Sequence, residues 1–307
     1  MKVLILGGHG FVGKSVQTLL DVSPEHEVRA RSRVDGFDLA DYPTTLAALH
    51  AWKPDAIINC SAHTGSLHYV SAHPATVLHD NLTMTLNLYR AVGEVCPSAR
   101  IINPLSNCSY PGDVDRQAEG DWLRGEVHES VYAYGNAKRN IYFTARCYQK
   151  QYGIRSCNFL VPNIFGPGDH TDPNKVHAFN GMIIRMIAAK RAQKPKFEIW
   201  GSGKPIREWA YIADVAEILK RALTIEDDLV YPVNIAQERG YSIAESAERI
   251  AKALNFTGEL FFNTSYQDGA PVKILDDARF RVLFPDFRFT DHEEGIQKTV
   301  TYYHSLL

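Results

Sequence analysis

The chain has 307 residues, more than one ordinary domain holds, and it is 45% hydrophobic and 22% charged. That balance supports a sizeable core and excludes a disordered chain. A formal net charge of −2 supplies no field to draw the protein to nucleic acid or to an anionic membrane surface. The first apolar run is too short for a signal peptide or a spanning helix. Five cysteines (Cys60, Cys96, Cys108, Cys147, Cys157) are an odd number without a CxxC pair, which predicts a reduced, cytoplasmic protein with no disulfide framework and no metal site.

In chain order, Val3 to Leu6 is an apolar run that ends in Gly7-Gly8-His9-Gly10-Phe11-Val12-Gly13, and helical spacing follows at Val16, Leu19 and Leu20. This is strand, glycine turn, helix. Glycines at 7, 10 and 13 let a pyrophosphate approach the backbone while the helix N-terminus faces its charge, so Gly7, Gly10, Phe11, Val12 and Gly13 are dinucleotide-binding candidates. Glu27 to Ala30 reads as a second strand. At its end a site for NAD usually carries an acid for the ribose hydroxyl, whereas a site for NADP carries arginine for the 2′-phosphate. Here Arg29, Arg31 and Arg33 precede the first acid, Asp35. Arg31 and Arg33 therefore favour NADP(H) over NAD(H), with Asp38 and Leu39 near the adenine.

Ala56 to Asn59 reads as a buried strand, Ala75 to Val95 as a long helix, and Ile101 to Asn103 as another strand before the loop Pro104 to Pro111. Val131 to Tyr152 is helical and carries Tyr134-Gly135-Asn136-Ala137-Lys138. Residues four apart share a helix face, so the Lys138 ammonium should lower the Tyr134 pKa and fit the phenol for proton exchange with a carbonyl oxygen. A hydroxyl must hold that oxygen, and Ser106 or Ser109 can supply it. Arg155 to Leu160 is again a strand. Alternating strands and helices predict an α/β fold, a Rossmann-type doubly wound parallel sheet. After Pro162 glycine and proline break the rhythm. Later helices are read over 178–192, over Ser242 to Asn255 and beyond Arg288, in a smaller α/β unit. The dinucleotide-binding unit is read as 1–163 with about 207–238. The substrate-binding unit is read as 164–206 and 239–307.

Together these motifs resemble an extended short-chain dehydrogenase/reductase of the NAD-dependent epimerase/dehydratase kind. Within it they are most similar to the GDP-L-fucose synthase group, the GDP-4-keto-6-deoxymannose epimerase-reductases. The likeness is carried by Gly7 to Gly13, by Pro104-Leu105-Ser106-Asn107-Cys108-Ser109-Tyr110-Pro111, by Tyr134 to Lys138, by Asn163-Ile164-Phe165-Gly166-Pro167 and by Trp200-Gly201-Ser202-Gly203-Lys204-Pro205-Ile206-Arg207-Glu208-Trp209. It implies an NADPH-dependent epimerase-reductase of a nucleotide-linked, GDP-type 4-keto-6-deoxy sugar, assembled as a homodimer through its two long helices. It implies that Ser106, Tyr134 and Lys138 are catalytic, with Lys138 also touching cofactor, and that Cys108 and His177 are the epimerising pair. Asn163, Arg185, Trp200 and Arg207 fall to the substrate, the two arginines to its diphosphate. For Cys108 the alternative role is a small buried hydrophobe, and for Arg185 a surface helix cation.

The chain departs from the group at Asn107, over Asp113 to His128 and at Gly168-Asp169-His170-Thr171-Asp172. Asn107-Cys108 stands where a dehydratase carries an acidic pair, which disfavours dehydration. An NAD-dependent 4-epimerase or a simple 4-ketoreductase needs neither Cys108 nor His177. A dinucleotide-sensing protein without chemistry commonly lacks the tyrosine–lysine pair.

Overall fold

The computed structural model describes residues 1–307. Six parallel strands form one sheet in the spatial order Leu229–Asn234, Ser156–Val161, Arg100–Ser106, Ala56–Asn59, Lys2–Leu6, Glu27–Arg31. The order reverses direction at Lys2–Leu6, which leaves a crevice at the carboxyl ends of the strands. Side chains alternate between the two faces. Leu4, Leu6, Ile57 and Ile101 join the core under helices Tyr42–Trp52, Pro74–Val95 and Tyr132–Tyr152. Val3, Ile5, Ile58 and Ile102 join the core under Phe11–Asp21 and Ile212–Arg221. Burial on both faces explains why these strands read as unbroken apolar runs.

Two boundaries differ from the sequence reading in an informative way. The second strand runs on to Arg31. The strand expected to stop at Asn103 continues through Pro104 to Ser106. Pairing with Ala56–Asn59 ends at Ile102, so the missing N–H of Pro104 faces no neighbour, while pairing with Ser156–Val161 carries on to Ser106. This extension delivers Ser106 to the carboxyl edge of the sheet.

At Pro162 the chain leaves the first sheet, and Asn163–Phe165 pairs with Ile206–Tyr211 in a second one. That sheet also contains Gly240–Ser242, Val272–Leu275 and the two-residue Arg116–Gln117. A two-stranded piece joins Lys196–Trp200 to Glu259–Asn263. Helices Ala178–Arg191, Ile243–Leu254 and His292–Leu306 pack with these strands around a third core that includes Phe165, Phe179, Trp209 and Tyr303. The chain is therefore not simply divided at Pro162, because residues 212–234 return to the first sheet. No helix is long and apolar enough to cross a membrane.

Candidate active site

The glycine turn is built for close approach. Gly7 has φ +72°, and a Cβ there would lie 2.8 Å from the Cys60 backbone. Helix Phe11–Asp21 begins at Gly10, which offers no side-chain cap. The first-turn amides are left without acceptors at the positive end of the helix dipole, a setting that fits a pyrophosphate. At the end of the second strand, Asp35 turns its carboxylate back to accept the Ser32 N–H at 2.7 Å and closes its own capping box. The one nearby acid is thereby occupied. Arg31 leans on Asp35 at 3.9 Å, an exposed and weak pair. Arg33 lines the cleft. His9, given no role in the sequence reading, meets Ser32 at 2.8 Å on the same rim. Asp38 is exposed, while the Leu39 side chain packs into the core, 3% exposed, which leaves the backbone of Leu39 as the part that can face a ligand.

A cavity of about 720 Å³ opens from this turn. Gly10, Phe11, Val12, Arg33, Ser106, Cys108, Tyr134, Lys138, Asn163 and His177 all line it. Separate elements bring them there. Gly135 lets helix Tyr132–Tyr152 lie against the serine–cysteine loop, for a Cβ there would sit 2.5 Å from the Cys108 carbonyl oxygen. Arg139 then pins that loop: its guanidinium donates to the carbonyls of Ser109 at 2.7 Å, Trp122 at 2.8 Å and Gly125 at 2.8 Å. The same packing sets the two serines apart. The Ser109 hydroxyl is fully buried, donates to the Ser106 carbonyl at 2.5 Å and accepts from the Trp122 indole at 2.7 Å. Ser106 keeps its hydroxyl on the cavity, oriented by the Cys108 N–H at 3.1 Å.

Tyr134 and Lys138 share the expected face, with Nζ 5.6 Å from the phenol ring centre. The expected depression of the Tyr134 pKa is absent from the cofactor-free protein. Burial raises it and the nearby Cys108 adds to the rise, while the neighbouring Thr64 hydroxyl acts the other way. The phenol is thus kept protonated, the form a ketone reduction consumes. Thr64 was not foreseen; it enters from the loop after Ala56–Asn59. Burial also lowers Lys138 to about 8, with Cys60 opposing, and its Nζ donates to the Pro104 carbonyl at 3.4 Å.

A buried ammonium costs stability. The folded pKa lies below the ordinary 10.5, so the unfolded chain binds more protons between pH 8 and 10.5 and stability rises with pH across that window. Lys138→Met should therefore stabilise the cofactor-free protein at pH 7 by up to roughly 3 kcal/mol, and the gain should fade towards pH 10.5. Thermal melts of both proteins at pH 7 and pH 10 check this; equal Tm shifts at both pH values would contradict it.

His177 caps helix Ala178–Arg191 and is tied to Asp169, whose Oδ2 accepts the His177 backbone N–H at 2.9 Å and meets its Nδ1 at 3.0 Å. Burial alone would raise the Asp169 pKa, but the His177 hydrogen bond and charge, with the Asn180 amide, outweigh it and hold the carboxyl below its ordinary value. An ionised Asp169 places the proton on Nδ1 and leaves Nε2 without this partner. The divergent segment Gly168 to Asp172 thus supplies the orienter of this histidine.

Cys108 has an unforeseen neighbour. Lys273 Nζ lies 3.6 Å from its sulfur. Lys273 pairs with Arg207 across the parallel strands Val272–Leu275 and Ile206–Tyr211. Buried Glu208 fixes that register by accepting the N–H groups of Gln237 at 2.7 Å and Leu275 at 2.8 Å. Lys273 therefore places one cation against the thiol, with the Arg207 strand position next to it. Arg185, Trp200 and Arg207 stand apart from the cavity lining. Arg185 lies 4.6 Å over the Trp200 ring, which stacks on Tyr266 at 5.2 Å. Asn163 holds its strand by donating to the Glu208 carbonyl at 3.1 Å.

A doubly wound sheet with a hydroxyl, a phenol and an ammonium at its carboxyl edge, beside an uncapped helix N-terminus, defines a short-chain dehydrogenase/reductase. The model of the NAD dependent epimerase/dehydratase family matches residues 3–236. The chain is 31% identical over 311 residues to a probable GDP-L-fucose synthase of Drosophila melanogaster, covering 98% of this chain and 97% of that one. It is 27% identical to a GDP-L-colitose synthase of Yersinia pseudotuberculosis, covering 99% and 98%. Among solved structures, a GDP-L-fucose synthetase from Naegleria fowleri bound to NADP superposes with a TM-score of 0.89 at 26% identity, covering 99% of this chain and 92% of that one. The chain belongs to the NAD dependent epimerase/dehydratase family.

Proposed function

We propose that the protein is an NADPH-dependent epimerase-reductase of a GDP-linked 4-keto-6-deoxy sugar. The reading is carried by one observation: Ser106, Tyr134, Lys138, Cys108 and His177 line a single cavity that opens from the glycine turn. Relatives named as GDP-L-fucose and GDP-L-colitose synthases support the same substrate class.

NADPH, when bound, supplies the hydride. The protein's own groups do the rest. Ser106 and Tyr134 hold the C4 carbonyl oxygen, which acidifies the hydrogens on the neighbouring carbons C3 and C5. Cys108 and His177 exchange protons there, one removing and the other returning on the opposite face, while the same oxygen carries the enolate charge. Asp169 keeps His177 in the tautomer that exchanges through Nε2. In the reductive step Tyr134 gives its proton to the C4 oxygen, and Lys138 stabilises the phenolate left behind. Arg207 and Lys273 favour the approach of an anionic diphosphate to the Cys108 side of the cleft.

The smaller unit, 164–206 and 239–307, is proposed to hold the nucleotide, with Arg185 and Trp200 as its outer contacts. A cytoplasmic homodimer completes the proposal. Its interface is the pair of long helices Pro74–Val95 and Tyr132–Tyr152, which expose Leu86 and Phe143.

The direct test offers NADPH and a panel of GDP-, dTDP-, UDP- and CDP-linked 4-keto-6-deoxy sugars to the purified protein. Stoichiometric NADPH oxidation, fastest with the GDP sugar, is expected. No oxidation with any of them, together with NAD retained through purification, would replace this reading by a 4-epimerase. Arg33→Ala should weaken NADPH binding about 10- to 100-fold, the worth of one charge-assisted phosphate contact, and leave NADH binding within about threefold. Fluorescence titration measures both, and equal losses for the two cofactors would remove Arg33 from the phosphate site.

A further inference from the structure

The segment after Ala56–Asn59 holds a second polar chain that the reaction above does not use. The imidazole of His63 meets Asp80 Oδ2 through Nδ1 at 2.6 Å and the Tyr69 hydroxyl through Nε2 at 2.9 Å. Its backbone is clamped at both ends by buried Asn81, which accepts the His63 N–H at 3.0 Å and donates to the His63 carbonyl at 2.8 Å. Hydrogen bonds from His63, foremost, and from His79 hold the Asp80 carboxyl below its ordinary value. Tyr69 stacks on His73 at 4.5 Å. The Ser66 N–H donates to the Asn174 carbonyl at 2.8 Å, which ties this loop to the segment that leads into His177.

We propose that Asp80, His63 and Tyr69 form a specificity-determining chain that presents the Tyr69 phenol to a ring hydroxyl of the sugar. His63 and Tyr69 line the cavity that holds Ser106 and Tyr134, and Thr64, adjacent to His63, lines it with them. The chain therefore lies at the reacting sugar. Ionised Asp80 fixes a hydrogen on Nδ1 of His63. When Nε2 carries a lone pair, the Tyr69 O–H donates to it and the phenol oxygen accepts from a ligand. When Nε2 carries a hydrogen, the phenol accepts from it and its own hydrogen goes to the ligand. A sugar hydroxyl is both donor and acceptor and satisfies either state, whereas a deoxy carbon satisfies neither. Asp80 and His63 act as positioning residues, because only Tyr69 meets the ligand.

This proposal rests on the nucleotide-sugar reading, and its test separates the two. The full-length enzyme with NADPH is assayed on the GDP-linked 4-keto-6-deoxy sugar and on its 2-deoxy and 3-deoxy analogues. Tyr69→Phe should lower kcat/KM about tenfold on the parent sugar, mostly through KM, and should cause no further loss on the one analogue that lacks the hydroxyl it reads. Asp80→Asn should give the same pattern with a smaller loss and keeps the test standing if Tyr69→Phe folds poorly. NADPH affinity should stay unchanged in both. An active wild type whose variants lose the same factor on parent and both analogues, or lose nothing, overturns this proposal alone and makes the chain a loop staple. A wild type inactive on every nucleotide-linked keto sugar overturns the parent reading and this proposal with it.

Discussion

Tyr134→Phe is expected to lower the rate of hydride transfer to the C4 ketone by about 10²- to 10⁴-fold while leaving NADPH binding within about twofold. The substitution removes one oxygen from a phenol that lies on the cavity wall, and it leaves the ring packing in place. The loss follows from the proton inventory. As hydride reaches C4, the carbonyl oxygen must gain a proton, and the Tyr134 hydroxyl is kept protonated by burial. Ser106 can hold that oxygen but cannot replace a phenol whose conjugate base is stabilised by Lys138. Single-turnover decay of NADPH fluorescence measures the step directly. An unchanged rate would remove Tyr134 from the chemistry.

Cys108→Ser is expected to slow exchange of the C3 or C5 hydrogens with solvent by about 10²- to 10⁴-fold and to leave reduction of an already epimerised keto sugar nearly intact. The serine hydroxyl keeps the size and the hydrogen bonding of the thiol but is far less acidic, so it is a poor partner in proton exchange. The split distinguishes a role in epimerisation from one in holding the loop. Lys273 at 3.6 Å would still stand beside position 108, so substrate affinity should hold. Exchange read by proton NMR in D₂O, beside NADPH oxidation on the epimerised sugar, separates the two steps. Equal losses in both would assign Cys108 to structure.

The parts of the site that rest on short spacing were legible before the fold was seen. The glycine turn and the four-residue step from Tyr134 to Lys138 each place their residues within one turn or one helix, where local geometry dictates who meets whom. What stayed hidden depends on contacts distant in the chain. Lys273 reaches Cys108 only because Val272–Leu275 pairs with Ile206–Tyr211 in register, and no periodicity marks that pairing. Thr64 and Asp169 lie in loops whose residue types suggest turns. Helix Tyr42–Trp52 escaped notice because its apolar residues form no stripe. Its signal was the cap, Asp41 accepting the Thr44 N–H at 3.2 Å, with proline in the first turn. The effect on the Tyr134 pKa was misread for a related reason. Spacing reveals the neighbouring ammonium, whereas burial, the larger influence, exists only in the folded cleft.

The central claim is that one cleft first exchanges protons beside the ketone and then reduces it. The most direct measurement converts the GDP-linked 4-keto-6-deoxy sugar with NADPH in D₂O and reads the product by mass and NMR. One NADPH consumed per product, with solvent deuterium bound to carbon at C3 or C5 and the NADPH hydrogen at C4, is the expected result. A reduced product without carbon-bound deuterium from solvent, or no product at all, would contradict the account.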